Sequence, residues 1–326
     1  MALKAKIVGG GYYLPDNILT NEDLEKMVDT SDEWIVRRTG IKERRIADCD
    51  VYTSDMAFFA SKSAMEKTNT SPEELDLIIV ATCTPDMYTP NVSCMVQARL
   101  GAVNAAAFDV SSACTGFISA LTVANQFIAT GYYKKILVVG AENLSRMTDY
   151  KDRNTCVLFG DGAGAFILEA SEEDGVLATE IGADGVGGKN LTSLAFRDDE
   201  EEMAKRVSKN KQTLWMDGSE VLKFAVRSMV QATLDVLKEA NLTIDDVDMI
   251  VPHQANIRII DGAVKRLGIS SDKVFVNIEK YGNMSSACIP IAFCEAIDEG
   301  RVKKGDTVVL VGFGGGLTWG ATVIKM

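Results

Sequence analysis

Short apolar runs recur along the chain at similar intervals in its two halves, separated by amphipathic or polar stretches. LDLIIVA, ending at Ala81, is apolar at nearly every position, as a strand is when both faces of its sheet are covered. The run ILVVGAE after Lys134 and Lys135 reads as a second such strand, and Lys4 to Gly11 as a short one running into glycines. Helical spacing appears from Thr20-Asn21 to Asp29, from Thr53 to Lys67, from Asn91 to Leu100 and from Gly218 to Ala240. Cys114 to about Thr130 is also helical, with Phe117, Leu121, Phe127 and Ile128 barely interrupted by polar residues, so that helix is expected to be buried. Between Gly175 and Gln212 the periodicity loosens through ADGVGG, DDEEE and KRVSKNK, which predicts surface loops or a flap.

The second half repeats the first. TIDDVDMIVPHQAN follows the pattern of SPEELDLIIVATCT, and KVFVNIEKYGNMSSAC that of AAAFDVSSAC. RVKKGDTVVLVGFGGG matches GYYKKILVVGAEN, and LTWGATVIKM matches GAGAFILEA. The string SSAC recurs, making Cys288 the expected counterpart of Cys114. Two duplicated βαβαβ-type halves, residues 1–174 and 175–326, predict a layered α/β fold with mostly parallel sheets. Cys114, His253 and Asn283 all fall at the C-terminal ends of predicted strands, where such folds place ligands.

Composition narrows the chemistry. Asp and Glu outnumber Lys and Arg by 46 to 34, a net charge of −12 that disfavours nucleic acid and anionic membrane as partners. No apolar run reaches a membrane span, and MALKAKIVGGGYYLP has no signal-peptide pattern. Seven cysteines without framework spacing suit reduced thiols, so a cytoplasmic location is expected. His253 is the only histidine, which excludes a histidine-cluster metal site and any mechanism with two imidazoles.

The stretch FDVSSACTGF sets Cys114 at a strand-to-helix junction, where helix-terminal N–H groups are expected to favour the thiolate; a packed, inert thiol is the plainer alternative. The glycines of FGDGAGAFILEA lack the GxGxxG-then-helix pattern of a dinucleotide site and read as a tight, close-packed turn between strands. Trp34, with Arg37, Arg38, Arg44 and Arg45, is either a solvated surface segment or a platform for an anionic aromatic ligand.

Together DTSDEWIVRRTGI, AFDVSSACTGF, FGDGAGA, PHQANIRI, YGNMSSACIP and FGGGLTWG identify a resemblance over essentially the whole chain. The chain resembles the β-ketoacyl-acyl-carrier-protein synthase III family, initiating condensing enzymes with a thiolase-like fold. The resemblance implies a Cys114–His253–Asn283 triad acting on acyl-CoA and malonyl-acyl-carrier protein, without a cofactor, in a homodimer. It further implies oxyanion donors at Cys114 and Gly315, with Phe313 as an apolar wall. Trp34, Arg38, Arg153 and Asn256 would contact coenzyme A and its pantetheine arm. Lys223, Arg258, Lys265 and Arg266 are the basic residues expected to dock the carrier protein, and Thr89 falls where a partner subunit lends a residue to the acyl pocket. Met284 departs from the small residue, often Thr, that follows GN in many members. A starter-unit synthase of secondary metabolism shares these motifs. The intact triad argues against a non-catalytic carrier-binding subunit, and the glycine pattern against an NAD-dependent dehydrogenase.

Overall fold

In the computed structural model, which describes residues 3–326, the apolar runs assemble into two sheets. The first contains β1 (Lys4–Tyr13), β2 (Leu77–Ala81), β3 (Ala106–Val110), β4 (Lys135–Asn143) and β5 (Asp161–Ser171), in the spatial order β1-β5-β4-β2-β3. The second contains β6 (Gly175–Ala183), β7 (Met249–Pro252), β8 (Thr307–Gly314) and β9 (Thr318–Lys325), in the order β6-β9-β8-β7. The two orders match strand for strand. The counterpart of β3 is reduced to a single parallel bridge between Ile250 and Val274. The turns leading into β2 and β7 carry the same reciprocal cap, Ser71 with Glu74 and Thr243 with Asp246.

Six helices complete the layers: α1 (Thr53–Thr68), α2 (Val92–Leu100), α3 (Gly116–Ala129), α4 (Gly218–Glu239), α5 (Ile257–Leu267) and α6 (Cys288–Asp298). Helices α1 and α2 cover the outer face of the first sheet, and α4 and α5 that of the second. Helices α3 and α6 lie between the sheets, so Phe117, Leu121, Ile289 and Phe293 share one core with residues of both. The apolar face of α3 is thereby explained; its few polar residues, Ser119, Thr122, Asn125 and Gln126, are the ones left half-buried or exposed.

The layered, duplicated α/β expectation holds, but the sheets are mixed rather than mostly parallel. Only β4–β2, β2–β3 and β7–β8 pair in parallel; β1, β5, β6 and β9 run antiparallel to their neighbours. Each half adds antiparallel strands that need no helical crossover, and strand direction leaves no mark on apolar periodicity. Gly175–Ala183 is strand β6 rather than loop. As an edge strand it leaves Thr179 and Glu180, on opposite faces, only half-buried, and these polar residues broke the apolar run. Gly162 and Gly164 lie within β5, not in a turn. A Cβ at Gly164 would stand 2.8 Å from Pro290 Cβ, so close packing of β5 on α6 is what requires glycine there.

Candidate active site

Strand ends from both halves meet at one cleft of about 1160 Å³, lined by Cys114, His253 and Asn283. Cys114 does not open the helix as expected. It sits in the tight turn Ala113–Thr115, one turn ahead of α3, with Ala113 held at φ +44°. The end of β8 lies directly on this turn. A Cβ on Gly314 would come within 2.7 Å of the Cys114 nitrogen, so only glycine permits the approach.

His253 follows β7, its backbone N–H donating to Val311 O at 2.8 Å and its ring edge-on to Phe313 at 5.3 Å. It is 1% exposed, yet both ring nitrogens lack a hydrogen-bond partner among the described residues. A buried imidazole left without partners costs free energy that a bound polar group can return. Asn283 follows a short helix, Ile278–Tyr281, rather than the predicted strand, and is tied on both sides: its N–H donates to Leu158 O, and its Oδ1 accepts from the Ser285 N–H, both at 2.8 Å. With Oδ1 engaged, the amide orientation is set and its NH₂ is the group left to donate within the cleft.

The electrostatics run against the expectation of a resting thiolate. Burial pushes the Cys114 thiol up to about 12; a hydrogen bond from Ser285 opposes this and buried Glu142 adds to it. Burial likewise pushes His253 down to about 3. Thiol and imidazole are therefore both neutral at pH 7. One imidazole nitrogen then accepts and the other donates, which equips His253 for proton acceptance and for polarising a carbonyl.

The remaining predicted residues divide between the mouth and the outer surface. Trp34 and Arg38 line the cleft, and the Arg153 guanidinium lies 4.5 Å from the Trp34 ring centroid, with Arg38 at 5.8 Å. Asn256 lines it too, but its Oδ1 caps α5 by accepting from the Arg258 N–H. Arg258 reaches the rim, with Lys265 two turns further along α5 on the same face and Arg266 beside it; both are exposed. Lys223 is exposed on α4 and paired with Glu220 at 2.6 Å. Phe313, Gly314 and Gly315 form the wall behind Cys114. Thr89 is exposed and outside the cleft, although Met87 and Tyr88 line it.

Several placements differ from the sequence reading. Arg44 is no surface cation: it is fully buried and donates to Leu19 O, Asn21 Oδ1 and Val157 O, with burial lowering it to about 10. Met284 is accommodated by glycine, since a Cβ at Gly162 would lie 2.9 Å from its sulfur. Leu191 to Ala195 and Leu214 to Ser219 line the cleft, so the aperiodic segment and its continuation do wall it. Cys83, Thr84 and Glu142 were not anticipated, because polar residues at the end of an apolar strand carry no periodic signal.

Residues 108–185 match the family described as 3-Oxoacyl-[acyl-carrier-protein (ACP)] synthase III, and residues 237–326 its C-terminal family. A beta-ketoacyl-[acyl-carrier-protein] synthase III of Caldanaerobacter subterraneus is 56% identical over 324 residues, 99% of this chain and 98% of the relative. The crystal structure of 3-oxoacyl-[acyl-carrier-protein] synthase III from Aquifex aeolicus is 50% identical, with a TM-score of 0.92 over 99% of this chain and 100% of that one. The priming beta-ketosynthase of the R1128 polyketide pathway is 36% identical, with a TM-score of 0.92 over 99% and 97%.

The protonation states have a direct test. Alkylation of Cys114 by iodoacetamide, followed by peptide mass mapping, is expected to accelerate continuously from pH 7 to pH 10, because the thiolate fraction of a raised thiol grows throughout that window. A rate already level at pH 8 would contradict it.

Proposed function

The chain belongs to the beta-ketoacyl-[acyl-carrier-protein] synthase III family, the thiolase-like condensing acyltransferases that initiate fatty acid synthesis, and we propose the following course for its reaction. An acyl-CoA starter, acetyl or a longer or branched acyl group, transfers its acyl group to Cys114. Malonyl-acyl-carrier protein then condenses with it, giving 3-oxoacyl-acyl-carrier protein, CoA and carbon dioxide. The observation that carries this reading is the meeting of Cys114, from one half, with the unpartnered His253 imidazole and the fixed Asn283 amide, from the other, in one cleft.

In the first half-reaction the Cys114 proton passes to a His253 nitrogen as sulfur adds to the thioester carbonyl. Collapse expels CoA, which takes the proton back from His253. The Cys114 and Gly315 N–H groups hold the oxyanion, where the glycines that end β8 lie against the Cys114 turn. In the second half-reaction the malonyl carboxylate leaves as carbon dioxide beside the apolar Phe313. His253 and Asn283 donate to the thioester oxygen as the enolate forms. The enolate carbon attacks acyl-Cys114, and the released thiolate takes a proton from solvent. The cycle needs no cofactor beyond its thioester substrates.

Trp34, Arg38 and Arg153 would bind the CoA nucleotide by stacking and phosphate pairing, and Asn256 the pantetheine arm. Arg258, Lys265, Arg266 and Lys223 would meet the acidic carrier protein near the cleft. A homodimer is supported by the free outer edge of β3 and by Val103, 76% exposed; such a partner would bring Thr89 to the acyl pocket. A monomer by light scattering would remove Thr89 from the pocket. No helix among the described residues is long and apolar enough to cross a membrane. We place the protein in the cytoplasm, where its seven free thiols would stay reduced. A second reading, priming of a secondary-metabolite pathway, draws on the likeness to the priming beta-ketosynthase.

Incubation with a panel of acyl-CoAs should add one acyl group by intact mass, located on Cys114 and absent from Cys114→Ala; no adduct with any starter would sink the reading. The His253→Ala variant is expected to lose carbon dioxide release by about 100-fold or more, as removal of an oxyanion donor does. Near-normal release would remove His253 from the decarboxylation step. Charge reversal in Arg258→Glu should raise KM for the carrier-protein substrate while leaving Cys114 acylation unchanged. An unchanged KM would dismiss the docking patch.

A further inference from the structure

The duplication locates a counterpart for Cys114, and it is not Cys288. Ala113 has φ +44° before a helix starting at Gly116, and Ser285 has φ +47° before one starting at Cys288. The turns therefore correspond with an offset of two residues from the SSAC strings, pairing Cys114 with Ser286. The strand glycines agree: a Cβ at Gly312 of β8 would face Cys114 O at 3.6 Å, and one at Gly140 of β4 would run into Ser286 O. Two residues beyond those glycines, Gly314 of β8 corresponds to Glu142 of β4.

At Gly314 the backbone of the Cys114 turn itself comes within 2.7 Å of where a Cβ would stand, whereas the equivalent position on β4 carries the Glu142 side chain beside Ser286. Glu142 is fully buried and forms no ion pair among the described residues. Its Oε1 accepts from the Ser286 N–H at 3.4 Å and the Ser286 hydroxyl at 2.8 Å. The other oxygen accepts from the Thr84 hydroxyl at 2.7 Å and the Cys83 N–H at 3.1 Å. The Ser286 N–H is the counterpart of the Cys114 N–H assigned above to the oxyanion. The carboxyl thus stands where an oxyanion would stand in the duplicated half. A carboxyl buried among neutral donors costs several kcal/mol to desolvate, so simple space-filling does not account for it. Through these bonds Glu142 joins the end of β2 to the turn whose Ser285 N–H holds Asn283 Oδ1.

We propose that Glu142 is a positioning residue for the condensation step: it occupies the oxyanion place of the duplicated half and clamps the Ser285–Ala287 turn to the end of β2, keeping Asn283 aligned with Cys114. The proposal rests on the roles given above to Cys114 and Asn283. Acylation of Cys114 depends on its own turn, on the Gly315 N–H and on His253, none of which Glu142 bonds, so the clamp acts mainly on the Asn283-dependent step.

The test separates the half-reactions in Glu142→Ala, Glu142→Gln and Ser286→Ala, using single-turnover CoA release for acylation and carbon dioxide release for condensation. Glu142→Ala is expected to keep acylation within about 3-fold, while its condensation kcat falls about 10- to 100-fold and KM for the malonyl carrier protein stays within about 3-fold. Glu142→Gln can still accept from the Cys83 N–H and donate to the Ser286 hydroxyl, so it should recover most of the condensation rate. Ser286→Ala, which removes the opposite end of the clamp, should show the same split and decides the matter if Glu142→Ala fails to fold. Wild-type condensation in Glu142→Ala, or equal loss of both half-reactions in the folded variants, would overturn the proposal. Failure of the wild-type protein to acylate Cys114 would overturn the reading of the site and this inference with it, a result distinct from either.

Discussion

The structure depends on how closely its two halves approach across their shared centre. Each half sends a tight turn against the other's central strand, and glycine is the only residue that fits at the points of contact. Gly314 lies against the backbone of Cys114, Gly140 against Ser286, and Gly164 against Pro290 at the start of α6. The apolar helices α3 and α6, packed between the sheets, supply the burial that holds these backbones together. A side chain at Gly314 would push β8 away from the Cys114 turn and separate the nucleophile from the wall behind it.

That closeness sinks the ionisable groups of the site into the protein, and desolvation sets their charge state. Cys114 and His253 are both held neutral, and the carboxyl of Glu142, which raises the Cys114 thiol further, is buried among hydroxyl, thiol and amide donors. The pair therefore behaves as a site that separates charge only when a substrate supplies an acceptor for it. The unpartnered ring nitrogens of His253 and the free amide of Asn283 are the structural trace of that missing partner. Duplication adds a second constraint, since one half keeps a glycine where the other has placed Glu142.

Much of this was legible in the chain. The lone histidine and the cysteine after FDVSSA each follow an apolar strand as predicted, while the asparagine after YG follows the short helix Ile278–Tyr281 instead, and repetition of the surrounding patterns required two similar halves. The start of α2 was also readable: Asn91 opens it where the helical spacing begins, its Oδ1 accepting from the Cys94 N–H. Identical letters misled where backbone geometry decided equivalence. The SSAC strings match at Cys114 and Cys288, but the left-handed residues sit at Ala113 and Ser285, so the true partner of Cys114 is Ser286. Arg44 misled for a related reason, because a charged residue among others reads as solvated until the acceptors that bury it, up to 113 positions away, are brought to it.

The sequence by itself determined the two-half plan and the burial of α3, because apolar periodicity and repetition are local properties of the chain, and its motifs, through their resemblance to a family, singled out Cys114, His253 and Asn283. Tertiary structure alone decided strand direction, the neutral state of Cys114 and His253, the fixed orientation of Asn283 and the place of Glu142. Those depend on desolvation and on hydrogen bonds between segments distant in sequence, and no local pattern encodes how deeply a side chain will be buried or what will stand beside it.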